Sequence, residues 1–309
     1  MLKHFAFIFA LLPLLSAPPG AEAKRVYKYQ DENGIWHFTD KKPNTEQEVE
    51  SRLVDVEPEQ NLKVRKLGSP REPVYELHNA YHGPMQVAVK ATKAKNLKSE
   101  PPLPTTFVLP ARTNRRPFEL GPADPRKGWS FQLNFAYVPG SPEARHDNPL
   151  YRLPFPDDKQ FPVSQAFNGG HTHNEEGARH AVDIVMPEGT PVLAARDGVV
   201  MSVERDFYRS GQDKERHGPR ANYVRVLHDD GTMAVYAHLK LESVRVRPGE
   251  AVLAGDLLAY SGNTGYSTGP HLHFVIQRNA GMRLVSEPFR FTGPDGGPVT
   301  PATGQMLGK

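Results

Sequence analysis

What most constrains this chain is the brevity of its apolar runs. Stretches such as Pro73–Leu77, Met85–Val89, Thr106–Leu109 and Ser130–Val138 are each cut off by proline, glycine or asparagine. The pattern continues through Ala181–Met186, Thr190–Leu193, Gly198–Glu204, Asn222–Leu227, Thr232–His238 and Leu257–Ser261. Helical periodicity is nearly absent, and short runs bounded by turn residues predict strands, so the expected fold class is all-β. One stretch stands apart. The glycine-rich segment 262–270 ends on Pro270 and runs into His271-Leu272-His273-Phe274-Val275-Ile276, which reads as a buried strand. Side chains alternate along a strand, so His271 and His273 share a face, about 7 Å apart. Two imidazoles on one rigid wall suit metal chemistry, one as ligand and one beside bound water or substrate.

The residue types present narrow that chemistry. Among 309 residues there is no cysteine, which excludes disulfides, a thiol nucleophile and a lipid-modified N-terminal cysteine. A metal site must therefore draw on His, Asp or Glu. A net charge of +3 is weak for this length, and no nucleic-acid-binding motif is present. Residues 1–23 combine a positive start (Met1–His4), an apolar run from Phe5 to Ala17 broken by Pro13, and the cleavage pattern Ala21-Glu22-Ala23. This predicts a removable secretory signal rather than a membrane anchor, and no other stretch is long and apolar enough to span a bilayer.

The mature chain divides into modules. Residues 24–43 pattern as a hairpin, with Val26, Tyr27 and Tyr29 leading to an Asn33-Gly34 turn and Ile35, Trp36 and Phe38 returning. This resembles the YKxxDxNGxxHFTD module at the N-termini of secreted proteins of Gram-negative bacteria. Residues 44–70 read as a polar linker, 71–150 as a small Ig-like β-sandwich, 151–293 as the site-bearing domain and 294–309 as a flexible tail. His78, His82 and His146 are isolated and read as surface or packing residues.

Over roughly residues 160–290 the sequence resembles the lysostaphin/LytM-type zinc metallopeptidases. The resemblance is carried by Ser261-Gly262-Asn263-Thr264-Gly265-Tyr266-Ser267-Thr268-Gly269-Pro270-His271-Leu272-His273-Phe274, by Pro187-Glu188-Gly189-Thr190-Pro191-Val192 and by Asp197-Gly198-Val199-Val200. It implies a two-sheet β-sandwich of lipoyl-like shape and a zinc ion held by a His, an Asp and the second His of HxH. Those roles fall on Asp183 and His273, with His173 as first ligand. This last position departs from the family's HxGxD spacing, in which the histidine stands four residues before the aspartate, because Arg179 occupies that place. His180, three before Asp183, points away by strand alternation, and His171 ranks third. Asp183 lies in the apolar run Ala181–Val185, where an unpaired carboxylate would be costly.

The Asp229-Asp230-Gly231 turn places His238 at the open end of its hairpin, where it matches the family's catalytic histidine, with His271 as its partner. HExxH and GxxxxGK[ST] are absent, so there is no helical glutamate base and these imidazoles must do the acid–base work. The resemblance implies an exported, periplasmic zinc endopeptidase acting on peptidoglycan peptides. Its alternative is an inactive LytM domain that binds and activates another cell-wall hydrolase as a regulatory partner. Residues 205–221 interrupt the strand pattern and are expected to border the substrate groove, with Phe207 and Tyr208 as contacts.

Overall fold

The computed structural model describes residues 24–30, 32, 36–39, 42–54, 60–213 and 220–309. The expected leader and the Asn33-Gly34 turn lie outside the described residues. Every regular element described is a strand, in keeping with the all-β expectation. No described helix is long and apolar enough to cross a membrane.

Near the N-terminus, Lys24–Gln30 is the middle strand of three, antiparallel to Trp36–Thr39 and Glu50–Val54. The stretch 44–70 is thus not a plain linker: it holds Glu50–Val54 and also Leu62–Gly68, which pairs with Pro73–Asn79. Leu62–Gly68 buries only Leu62 fully and turns Lys63, Arg65 and Lys66 to solvent, so its sequence carries little strand periodicity.

Residues Gln60–Glu143 and Asn279–Arg283 make one compact unit. Two three-stranded sheets and one two-stranded sheet build it: Met85–Lys95 lies between Ser130–Pro139 and Thr105–Leu109, Pro73–Asn79 lies between Leu62–Gly68 and Asn114–Arg115, and Leu97–Glu100 pairs with Glu119–Pro122. Strict alternation in Pro73–Asn79 sends Tyr75 and Leu77 inward, where Tyr75 meets Phe118 and Phe135.

The second unit contains Ala144–Arg278 and Leu284–Lys309. Its main sheet runs in the order Ala251–Val252, Gly198–Glu204, Tyr223–Leu227, Met233–Ala237, His271–Asn279, Val182–Val185, Gln160–Gln165 and Met306–Gly308, with Leu284–Glu287 also on His271–Asn279. Leu272, Phe274 and Ile276 point to one face and are fully buried with Val182, Ile184, Tyr236 and Phe289. Pro191–Leu193 and Leu257–Tyr260 form a small separate sheet that adds Val192, Leu258 and Ala259 to that core. The other face of the central strands carries Val235, Val275 and the two histidines of HxH. Residues 294–309 are not a loose tail. Met306–Gly308 pairs with Gln160–Gln165, Leu307 is 2% exposed in the core, and Pro298–Val299 pairs with Arg290–Thr292. Strands of two or three residues are too short to show a period in sequence.

Candidate metal centre

Three adjacent strands of the main sheet meet at the centre. Val182–Val185 lies antiparallel to His271–Asn279 with Asp183 opposite His273 and Val185 opposite His271; on the other side Ala237 lies opposite His273. Directly opposed residues share a face. His273 Nδ1 accordingly lies 2.8 Å from Asp183 Oδ1.

His173 reaches the same oxygen from outside the sheet. Asn168 N donates to Arg179 O at 2.7 Å, which closes the base of the excursion 168–179 and brings a residue ten positions upstream back to Asp183. The His173 ring is fully buried, its Nδ1 lies 2.9 Å from Ala166 O and its Nε2 lies 3.3 Å from Asp183 Oδ1. A carbonyl can only accept, so Nδ1 carries the proton and the Nε2 lone pair faces a carboxylate oxygen. That Nε2 has no hydrogen-bond partner. Two acceptors facing each other in a dry site call for a positive charge between them, either a proton on Nε2 or a metal ion. Donor atoms of His173, Asp183 and His273 lie within 4.8 Å of one another, and among the described residues they form the one such group. Donors about 2 Å from a tetrahedral zinc stand roughly 3.3 Å apart, so the donor set and its spacing fit zinc.

The charges agree with a cation site. Burial alone would raise the Asp183 carboxyl, but hydrogen bonds and charge from His173 and His273 hold it well below the usual carboxylate range. Without a metal, burial pushes His173 down, but a proton taken up on Nε2 would donate to the Asp183 carboxylate, and that bond and charge outweigh burial and raise the imidazole.

The other histidines separate cleanly. His180 turns away, with Nδ1 2.9 Å from Ser286 O and its ring edge-on to Phe167. His171 is exposed. His238 and His271 lie beside the donors, their ring centroids 4.5 Å apart, with His238 5.8 Å from His273 and His271 Nε2 3.9 Å from Asp183 Oδ1. His238 Nδ1–H donates to Thr264 O at 2.6 Å, and His271 Nδ1–H donates to Gly269 O at 2.8 Å. Each therefore keeps an Nε2 lone pair. Burial, with the neighbouring charges of His271 and His273, pushes His238 down to about 3, and burial lowers His271 as well. Both are neutral acceptors at pH 7.

His238 sits just past Met233–Ala237 with φ 62, a left-handed conformation uncommon for a residue with a Cβ. Leu239 N donates to Asn222 O and Lys240 N to Tyr260 O, which fix the chain on either side of the bend. Gly265, at φ 88, lets the loop before HxH press against Arg220 O and Ala221, where a Cβ would lie 2.6 and 2.7 Å away. The loop from 205 runs beside it, since Ser210–Gly211 pairs with Gly265–Tyr266. Phe207 is buried, its backbone gripped by the Asn222 amide, so it serves packing rather than contact; Tyr208 is half-buried. Sequence reasoning missed Gln165, Ala166 O and Thr264 O. The two carbonyls carry no side-chain signal, and Gln165 showed only as a polar residue at a strand end. A groove of about 650 Å³ lined by Arg152, Arg196 and His228 lies at the turn end of the 223–237 hairpin, opposite the end that carries His238.

Fold and site together define a class: an all-β domain with a three-donor candidate metal centre flanked by neutral imidazoles. Comparison with known proteins gives the family. Residues 177–284 match Peptidase family M23, and this part of the chain is an M23 peptidase domain. The match includes Asp183, His238, His271 and His273, whereas His173 lies upstream of it. Residues 13–66 match a domain of unknown function, DUF4124. Peptidoglycan DD-endopeptidase ShyA of Vibrio cholerae is 32% identical over 125 residues, covering 40% of this chain and 26% of that protein. Lysostaphin of Staphylococcus staphylolyticus is 34% identical over 132 residues, covering 40% of this chain and 25% of its own. The chain thus spans about a quarter of the length of these relatives. The catalytic domain of lysostaphin from Staphylococcus simulans aligns with TM-score 0.30 and 29% identity, over 41% of this chain and 86% of that domain. The kinship rests on sequence.

Proposed function

We propose that this chain is an exported zinc metalloendopeptidase that hydrolyses peptide cross-links of peptidoglycan. The observation that carries the reading is the convergence of His173, Asp183 and His273 on one oxygen-centred cluster beside His238 and His271. The substrate class is supported by relatives named as peptidoglycan endopeptidases. Zinc held by the three donors supplies a Lewis acid that activates water near neutral pH and polarises a peptide carbonyl. The protein's own residues do the rest. Thr264 O and Gly269 O fix the tautomers of His238 and His271, so each offers Nε2 as a proton acceptor. A neutral imidazole so placed takes a proton from the attacking water and returns one to the departing amine. Once protonated, it donates to the developing oxyanion. The loop from 205, paired to the HxH loop, borders the substrate path to the metal centre in this reading.

The test is mass spectrometry of soluble fragments after the zinc-loaded protein is incubated with cross-linked peptidoglycan. New fragments arising from cut peptide bridges are expected, lost on chelation and restored by zinc. Stoichiometric zinc without any cleavage would favour the inactive, hydrolase-activating relative instead.

A further inference from the structure

The Gln165 side chain ties the two residues just before the first metal ligand to the second ligand. Its Oε1 lies 3.2 Å from His171 N, and its Nε2 lies 2.6 Å from Thr172 Oγ1 and 3.2 Å from Asp183 Oδ2. A backbone N–H can only donate, which fixes the amide: Oε1 faces His171, and the two hydrogens of Nε2 face Thr172 and the carboxylate. Asp183 is thereby divided between its two oxygens. Oδ2 accepts from Gln165, while Oδ1 is left to the cluster with His173 and His273. The loop itself is shaped for this side chain. A Cβ on Gly169 would lie 2.2 Å from Gln165 Cγ and 2.6 Å from Cδ, so only glycine lets the amide lie there undisturbed. The adjacent residue completes the arrangement, because Ala166 O accepts His173 Nδ1–H and turns Nε2 towards Asp183.

We propose that Gln165 is the positioning residue of the metal centre: one amide clamps the His171–His173 turn to Asp183 and dictates which carboxylate oxygen the metal meets. The proposal rests on the metal reading above. It explains how a histidine ten residues from the aspartate, rather than four, is held rigidly enough to serve as a ligand. Groups that orient metal ligands in this way are worth roughly 10–100-fold in metal affinity.

The experiment measures zinc affinity by competition with a chromophoric chelator in the wild type, Gln165→Met, Gly169→Ala, Gln165→Ala and the Gln165→Ala/Gly169→Ala double variant. Thermal midpoints of the metal-free proteins and visible spectra of the cobalt(II)-substituted proteins accompany it. Gln165→Met keeps the length of the side chain and removes both donors. It is expected to weaken zinc roughly 10–100-fold and to shift the cobalt bands, with the metal-free midpoint within a few degrees of wild type. Gly169→Ala, which leaves Gln165 in place but displaces its amide, is expected to weaken zinc too, and to add nothing in the Gln165→Ala background. Wild-type affinity in both Gln165→Met and Gly169→Ala would overturn the proposal, as would additive losses. A metal-free midpoint that collapses in step with affinity would assign Gln165 a general structural role and overturn it equally. Failure of the wild type to bind zinc would overturn the metal reading, and this inference with it.

Discussion

Acid should destabilise this protein through His228, and the size of the effect follows from its surroundings. His228 is 3% exposed at the turn end of the 223–237 hairpin. Its Nδ1–H donates to Asp197 O at 2.7 Å, and its Nε2 is buried without a partner. Burial, aided by the Arg196 charge and opposed by the Asp197 carbonyl, pushes the imidazole down to about 4. The unfolded chain has an ordinary histidine near 6.5. A folded-state value below the unfolded one means the unfolded state binds the proton first. The stabilising contribution is therefore complete above about pH 6.5 and is lost as the pH falls towards about 4. Linkage gives a loss of about 2 kcal/mol by pH 5 and about 3 kcal/mol by pH 4. His228→Gln keeps a donor for Asp197 O and does not titrate. Urea unfolding of both proteins at pH 7.5, 5 and 4, with chelator present so that metal release does not contribute, should show the wild type losing that much more stability than the variant. Parallel pH profiles would refute the reasoning.

Four further outcomes are expected. His173→Ala, Asp183→Ala and His273→Ala should each lose zinc stoichiometry on dialysis while His180→Ala keeps it; the reverse pattern at 173 and 180 would move the first ligand. His238→Ala and His271→Ala should keep zinc and lower turnover on cross-linked muropeptides by roughly a hundredfold or more, and metal loss in His238→Ala would show that it is a ligand. Leu307→Ala, at a site 2% exposed, should cost about 2–3 kcal/mol in urea unfolding, whereas no change would mean that the C-terminal strand adds nothing to the core. Shortening the loop between Tyr208 and Arg220 should lower turnover with zinc retained; unchanged turnover would remove it from the substrate path.

The divide between what was legible and what was not runs through particular residues. The main sheet and half of the site could be read because alternation is a local property. Leu272 and Phe274 must share one face and His271 and His273 the other, whatever the rest of the chain does. The Asp229-Asp230-Gly231 turn likewise forced His238 to the far end of its hairpin, and the apolar company of Asp183 marked it as a residue needing partners. Glu50–Val54, Leu62–Gly68 and Met306–Gly308 were hidden because each is short or largely solvated and so shows no period. What only the tertiary structure decided was orientation. Which histidine reaches Asp183 depends on Asn168 closing onto Arg179, and which nitrogen each imidazole presents depends on Ala166 O, Thr264 O and Gly269 O. Those partners are backbone groups and loop closures, identical in kind at every residue. The sequence by itself determined an all-β chain with histidines and an aspartate set to meet. Their tautomers, the left-handed turn at His238 and the Gln165 clamp on Asp183 came from packing remote segments together, because hydrogen-bond direction is fixed only once the partner is in place.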